Sequence, residues 1–239
     1  MCDLQLQMVF RKSDGVFRET ISKSASDLLQ AEARTQILMS NTQETTQAYY
    51  EENAESFIAR TLHLDMTEHY QRFLSRVPAG GRVLDAGCGS GRDAYAFKQM
   101  GFKVDAFDAS SEMAKSASKL IGIEVHQNTF QAFDSPPIYD AIWAYASLLH
   151  VPYTELPLAL TNLSNALKDD GPLFASFKLG DGEIPRDDGR RFSMMTEDRF
   201  KAILADVPSL ELQDARITQS NKPYNKDEKW LTMIIGKVK

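Results

Sequence analysis

Residues 82–94, RVLDAGCGSGRDA, set three glycines, a cysteine and two aspartates at the end of a short apolar run. Closely spaced glycines let a backbone turn tightly and approach a ligand. Such a loop can grip phosphate, hold another nucleotide-bearing cofactor, or carry a reactive cysteine. A triphosphate loop of the G-x-x-x-x-G-K-[S/T] type is absent from the chain. The dinucleotide pattern G-x-G-x-x-G is met at Gly87 and Gly89, but its sixth position is Arg92 and the third glycine falls at Gly91. Asp85 before the loop and Asp93 after it put negative charge where a pyrophosphate would be repelled and an ammonium or sulfonium attracted. Cys88 lies on the N-terminal side of a helix, where a thiolate is stabilised. No histidine lies near it in sequence, and a small residue in a narrow turn accounts for it better.

Asp108 follows Gly87 by about twenty residues, the spacing at which a carboxylate takes the hydroxyls of a ribose. A ribose, a cationic amino-acid end and a close backbone approach together describe S-adenosylmethionine. His150 comes after a later apolar run, at the place where a substrate could meet a transferred group. Imidazole titrates near neutrality, so His150 is a candidate general base, with a loop histidine packed on the cofactor as the alternative. His63, His69 and His126 have no metal-ligand spacing, and no metal is expected.

These residues need elements to position them. From Thr46, the spacing of Tyr50, Ala54, Phe57, Ile58 and Thr61 predicts a helix. A second begins near Asp65, with Asp65 and Glu68 as a capping box, and ends at Pro78. The chain then alternates: RVLDAG strand, RDAYAFKQMG helix, FKVDAFD strand, SSEMAKSASKLIG helix, IEVHQ strand, YDAIWAYAS strand, TELPLALTNLSNALKDDG helix, PLFASFK strand, TEDRFKAILADV helix. Two strands, LELQDARIT and KWLTMIIGKV, close it and lack a crossover helix between them. Alternation of this kind predicts a parallel sheet covered on both faces, with an antiparallel hairpin at one edge. Residues 1–45, with a hairpin signal at Ser13-Asp14-Gly15 and then a helical stretch, read as an extension to a domain spanning 46–239.

At 239 residues the chain can bury a substantial core. Its net charge of −6 argues against broad attraction to nucleic acid or anionic membrane. Two cysteines, Cys2 and Cys88, cannot build a disulfide framework, and neither a membrane span nor a signal peptide is expected. A cytoplasmic location follows as an expectation, with the extension as the candidate route to an oligomer.

The stretch VLDAGCGSGRDA resembles motif I of the class I S-adenosylmethionine-dependent methyltransferases, and VDAFDASSEM resembles their acidic motif II. YDAIWAYASLLHVP is similar to their fourth strand and its exit. AYYEENAESFIARTLHLDM, SFKLGDGE and GRRFSMMTED are similar to a bacterial small-molecule branch that includes tellurite-resistance-type methyltransferases. The resemblance covers residues 46–239. It implies an α/β Rossmann-like fold with a seven-stranded, mostly parallel sheet, an antiparallel C-terminal hairpin and helices on both faces. It further implies methyl transfer from S-adenosylmethionine to a small-molecule acceptor.

Carried over by position, the resemblance implies that Gly87, Cys88 and Gly89 pass close to the cofactor and that Asp85 stands near its ammonium. Asp108 and Ala109 would hold the ribose, Met113 would pack by the adenine, and Thr129 and Phe130 would flank its edge. Ala144 would present its carbonyl near the sulfonium. Tyr49 and Arg60 would form the near wall, with Arg60 reaching the cofactor carboxylate. Tyr50, Lys178 and Arg191 are candidates for the acceptor, and Arg190 beside them could also receive an anionic substrate; basic loop residues are otherwise just solvated, and Tyr50 could equally be a core residue. SPPI and NKPY do not sit at the fourth strand's exit, which disfavours amine methylation of nucleic-acid bases or glutamine. Two other readings stay open here: a methyltransferase acting on RNA or protein, and a non-catalytic S-adenosylmethionine-binding module.

Overall fold

The computed structural model describes residues 45–220 and 225–238. The hairpin and helix expected within residues 1–45, and the NKPY segment, lie outside the described residues apart from Thr45. The first helix, α1, runs over 45–61, with Thr46, Ala54 and Thr61 buried on one side. α2, Thr67–Leu74, follows. Its start differs from the expected capping box: the Asp65 carboxylate accepts from the Thr67 amide at 2.9 Å, two residues on, and Glu68 is left on the exposed face.

The alternating unit is β1 (Arg82–Ala86), α3 (Arg92–Gln99), β2 (Lys103–Asp108), α4 (Ser111–Ile121), β3 (His126–Gln127), β4 (Ala141–Ala144), α5 (Leu156–Ala166) and β5 (Pro172–Lys178). A short pair β6 (Glu183–Pro185) and β7 (Arg191–Ser193), α6 (Glu197–Leu204), β8 (Leu210–Gln219) and β9 (Lys229–Lys237) complete it. The seven-stranded sheet has the order β3-β2-β1-β4-β5-β9-β8. β1, β2, β3, β4 and β5 pair in parallel, while β9 is antiparallel to both β5 and β8. The closing hairpin therefore inserts its second strand beside β5 and leaves β8 at the edge.

Parallel strands covered on both faces need apolar residues at every position. β4 meets this fully, with Ala141, Ile142, Trp143 and Ala144 all at 0 % exposure. One face packs on α5 and α6 through residues such as Ile142, Leu160, Leu163, Phe177 and Phe200. The other packs on α2 and α3 through an aromatic group in which Trp143 stacks on Phe174 at 4.1 Å and meets Phe73 at 5.1 Å.

Two expectations change in extent. β3 is only two residues long, because the Val125 amide is taken by the Ser118 hydroxyl at 2.9 Å and the strand starts after it. Residues 183–193, between the expected PLFASFK strand and TEDRFKAILADV helix and assigned no element from sequence, form the β6–β7 hairpin. The Asp-Gly pair at 188–189 closes it, with Gly189 at φ +85°.

Candidate active site

The strand order reverses between β1 and β4, and in such sheets ligands bind beyond the carboxyl ends of the flanking strands. The connection from β1 to α3 carries the glycines. Gly87, Gly89 and Gly91 all have positive φ, at +71°, +53° and +77°. Their surroundings separate their roles. A Cβ on Gly87 would meet the Ser147 Cβ at 2.5 Å, and one on Gly91 the Ala117 Cβ at 2.8 Å, so both serve packing. A Cβ on Gly89 would meet only the Phe57 ring, at 3.9 Å. The open side of the loop is therefore at Gly89, facing α1.

Asp108 ends β2 beside that opening. Its Oδ2 accepts from the Gly89 amide at 2.7 Å and its Oδ1 from the Ser110 amide at 2.9 Å. Each carboxylate oxygen has a second lone pair for a hydroxyl. Burial raises the Asp108 pKa to about 6, against the lowering effect of these amides. Nearby, the Ala109 carbonyl accepts from the Gln127 side chain at 3.1 Å, and the Asn128 amide donates to the Asp108 carbonyl at 2.9 Å. Thr129 caps its own turn at Ala132. Phe130 packs edge-on against Phe107 at 5.3 Å and lies 3.4 Å from where a Gly87 Cβ would be. Met113 is buried at 1 % exposure, which leaves it no free surface in this structure.

Asp85 and Asp93 divide, and the expectation that both charge the pocket is corrected. Asp85 is buried, accepts from the Ala94 amide at 3.0 Å, and burial together with Asp93 raises its pKa. Asp93 is fully engaged elsewhere: bidentate with Arg92 at 2.6 and 2.9 Å, and accepting from Tyr70 at 2.5 Å and Trp143 at 2.8 Å. Burial opposes its ionisation, but Arg92 and these donors hold its pKa down, so its charge is spent inside the fold. Arg92 also reaches the Thr61 carbonyl at 3.0 Å and lies over the Tyr145 ring at 5.6 Å. It thus joins the end of α1, the glycine loop and the exit of β4. At Cys88, burial, then Asp85 and Asp108, push the thiol pKa up, away from thiolate.

The exit of β4 carries a backbone outlier. Ala146 has φ +52°, a left-handed conformation that costs a residue with Cβ roughly 1 kcal/mol. It is held there by the Ser176 hydroxyl, which takes its amide at 2.7 Å, while the Ser147 hydroxyl donates to the Ala86 carbonyl at 2.8 Å. The turn that follows, Leu148–His150, projects His150 toward α1.

His150 meets Tyr50 there. Its Nε2 is 2.8 Å from the Tyr50 hydroxyl and its Nδ1 is 3.1 Å from the Arg191 carbonyl. A carbonyl can only accept, so Nδ1 carries the proton; Nε2 of the neutral ring accepts from Tyr50. Burial drives the Tyr50 pKa up to about 12 while the Arg190 guanidinium, facing its hydroxyl, works against that. Arg190 also lies over the Tyr49 ring at 4.1 Å and binds Asp188 at 2.5 Å.

The remaining predicted residues sit around this pair. Arg60 is exposed and reaches the Tyr49 hydroxyl at 3.5 Å. Arg191 pairs with Glu183 at 3.2 Å, and its amide donates to Thr46 of α1. Lys178 is not presented as a bare cation: Glu228 holds it at 2.5 Å and it lies 4.2 Å from the centre of the Phe192 ring. Ala144 is fully buried, backbone included, so the expected presentation of its carbonyl is not seen here.

Three contributors are not legible in the sequence. Ser147 and Arg92 act through distant partners that spacing does not reveal. Glu51 of α1 caps α4, accepting from the Ser111 amide at 2.6 Å and the Glu112 amide at 3.1 Å. Arg190, expected only as a basic loop residue that could meet an anion, is carried inward by the β6–β7 hairpin that the Asp-Gly pair beside it closes.

Comparison with known proteins agrees with this geometry. Residues 58–207, more than half of the chain, match the family model described as "Methyltransferase domain". An uncharacterised methyltransferase of Staphylococcus carnosus is 30 % identical over 144 residues, covering 56 % of this chain and 69 % of that protein. A ubiquinone biosynthesis O-methyltransferase of Xanthomonas campestris pv. campestris is 34 % identical over 105 residues, 41 % of this chain; the match spans 43 % of that relative's length. Among solved structures, the Burkholderia thailandensis 1,6-didemethyltoxoflavin-N1-methyltransferase, with bound 1,6-didemethyltoxoflavin and S-adenosylhomocysteine, superposes at a TM-score of 0.65. It shares 18 % identity and is covered over 94 % of its chain by 96 % of this one. The fold and the family match together define a class I α/β enzyme of Rossmann-like fold. The chain belongs to the methyltransferase domain family, and its chemistry is S-adenosylmethionine-dependent methyl transfer.

Proposed function

We propose that the protein transfers the methyl group of S-adenosylmethionine to a small-molecule acceptor, with Tyr50 and His150 relaying the acceptor's proton away. The observation that carries this is the Tyr50–His150 contact at the exit of β4, with its tautomer fixed by the Arg191 carbonyl. Both ring nitrogens of His150 are engaged, so the Tyr50 oxygen is the group that takes a proton from the acceptor as its own passes to Nε2. When bound, S-adenosylmethionine supplies an electrophilic methyl on a sulfonium. The residues present fit such a group: the opening at Gly89, the Asp108 carboxylate for the ribose hydroxyls, and the buried carboxyl of Asp85, which has no side-chain cation bonded to it among the described residues, for the ammonium. Gly87, Cys88, Ala109, Thr129 and Phe130 complete the cofactor wall in this reading, with Met113 and Ala144 packed behind it and Tyr49 and Arg60 at its amino-acid end. Tyr50 lines the acceptor side, with Lys178 and Arg191 at its edge.

Small-molecule acceptors are supported by the acceptors named in the neighbouring structure and the Xanthomonas relative. The net charge of −6 supports the same choice over RNA. Residues 46–239 form the catalytic domain in this reading, with 1–45 as an extension. We place it in the cytoplasm; no helix among the described residues is long and apolar enough to cross a membrane, and the low cysteine content supports a reducing compartment. The test is an acceptor screen followed by Tyr50→Phe and His150→Gln. Each variant is expected to lower kcat by about a hundredfold or more with cofactor affinity retained. Unchanged kcat in both would sink the relay. Cofactor binding without transfer to any acceptor would sink the enzyme reading itself.

A further inference from the structure

Arg190 is a cation that the fold delivers to the proton-relay pair. It stands at the end of the β6–β7 turn, where the Asp-Gly pair and the Arg186–Arg190 backbone bond of 2.7 Å fix its position. Tyr49 of α1 holds the guanidinium from one side at 4.1 Å, and Phe192 of β7 lies at 5.4 Å. Asp188 binds it at Nε and Nη2, at 3.1 and 2.5 Å. The pair is polarised across the surface: the Asp188 side chain is 35 % exposed and that of Arg190 is 18 % exposed. The carboxylate is therefore screened by water while the guanidinium faces the Tyr50 hydroxyl. The other groups around this point are His150, whose Nδ1 is committed to a carbonyl, the Arg191–Glu183 pair, which compensates itself, and the Asp108 carboxylate, whose charge reaches the Tyr50 hydroxyl from the cofactor side and whose oxygens are tied to the Gly89 and Ser110 amides.

We infer that Arg190 receives the acceptor's oxygen as it loses its proton, and that the acceptors are weakly acidic hydroxyl compounds, phenols and enols, rather than amines. This rests on the proposed Tyr50–His150 relay. The structure holds an internal example of the contact, a phenol that donates to His150 Nε2 with a guanidinium beside its oxygen. A protonated amine would meet a like charge at the same place. In the step itself, the acceptor O–H proton moves to the Tyr50 oxygen as the Tyr50 proton moves to Nε2. The acceptor oxygen bonds to the methyl carbon, the carbon–sulfur bond breaks, and its electron pair returns to sulfur. The products are a methyl ether, S-adenosylhomocysteine and an imidazolium that releases its proton to water. Charge develops on the acceptor oxygen early in this sequence, and a guanidinium fixed by Tyr49 and Asp188 is organised for it in advance.

The experiment has a binding arm and a turnover arm. In the first, para-nitrophenol is titrated spectroscopically with the full-length protein saturated with S-adenosylhomocysteine. Its apparent pKa is expected to fall by about one unit on binding to the wild type. The shift should vanish in Arg190→Gln and return in part in Arg190→Lys. In the second, wild-type kcat/KM is compared over matched phenols and amines; phenols are expected to be methylated, and Arg190→Gln to lower their kcat/KM by about a hundredfold. A para-nitrophenol pKa unmoved by the wild type, or a shift that survives in Arg190→Gln, overturns the inference. Transfer to amines and not phenols overturns it too, while leaving small-molecule methyl transfer standing. Absence of transfer to every acceptor, with the cofactor still bound, removes instead the reading on which it rests.

Discussion

In the proposed site, Asp108 concentrates the chemistry of the cofactor side in one carboxylate. Its two oxygens are tied to the Gly89 and Ser110 amides, which aim it at the opening of the glycine loop. Because burial lifts its pKa to about 6, its charge is lost as pH falls through that value in the cofactor-free protein. Hydroxyl donors bind the ionised form better than the neutral one, so bound cofactor favours ionisation. Affinity for S-adenosylmethionine is therefore expected to be flat above pH 7 and to fall below about pH 6, by calorimetry at several pH values. An affinity that rises on acidification would contradict the assignment. The glycines make a second contrast at this scale. Gly87→Ala would put its Cβ into Ser147 at φ +71°, and an unfolding curve should show a loss of more than about 2 kcal/mol. Gly89→Ala has space around its Cβ, so its stability loss should be about 1 kcal/mol, whereas cofactor affinity should drop, because that space is the cradle.

Between elements, the Arg92–Asp93 pair does what a third glycine does in dinucleotide folds: it sets how α3 meets the sheet. Asp93 binds donors from α2 and β4, and Arg92 holds the last turn of α1. The pair is buried, and removing one partner strands a charge, which costs about 3–5 kcal/mol. Asp93→Asn is expected to lower stability by that order in a denaturant titration, and a loss under about 1 kcal/mol would show the network to be dispensable. Glu51 binds the same helix α1 to the start of α4, and Thr46 binds it to β7. α1 is thus fastened at three places along one side of the site, which is how a helix outside the sheet supplies both Tyr49 and Tyr50.

Across the whole molecule, sequence patterns carry furthest where one residue's environment is set by its own element. The alternation of VLDAG, VDAFD, AIWA and LFASF with amphipathic stretches was enough for a parallel sheet. The missing crossover before KWLTMII was enough for the antiparallel edge. Gly89, Asp108 and His150 were legible because strand ends and glycine spacing place them by rule. The remainder depended on contacts between distant segments. Asp93 looked like pocket charge until Tyr70 and Trp143, 23 and 50 residues away, were seen to use it. Lys178 looked available for an anion until Glu228 was found on it. Arg190 could be an anion contact or a solvated loop cation by sequence, and only Tyr49 of α1 lying against it separates the two. Side chains that end a strand can be read from one segment; side chains that bridge segments cannot.

The proposed function depends on S-adenosylmethionine binding at the junction of the glycine loop and Asp108. The direct measurement is isothermal titration of S-adenosylmethionine into the wild type and into Asp108→Ala, with unfolding curves to confirm that both are folded. Saturable binding by the wild type, weakened at least about tenfold in the variant by loss of a charge-assisted contact, is the predicted result. Equal affinity in the two folded proteins would contradict it.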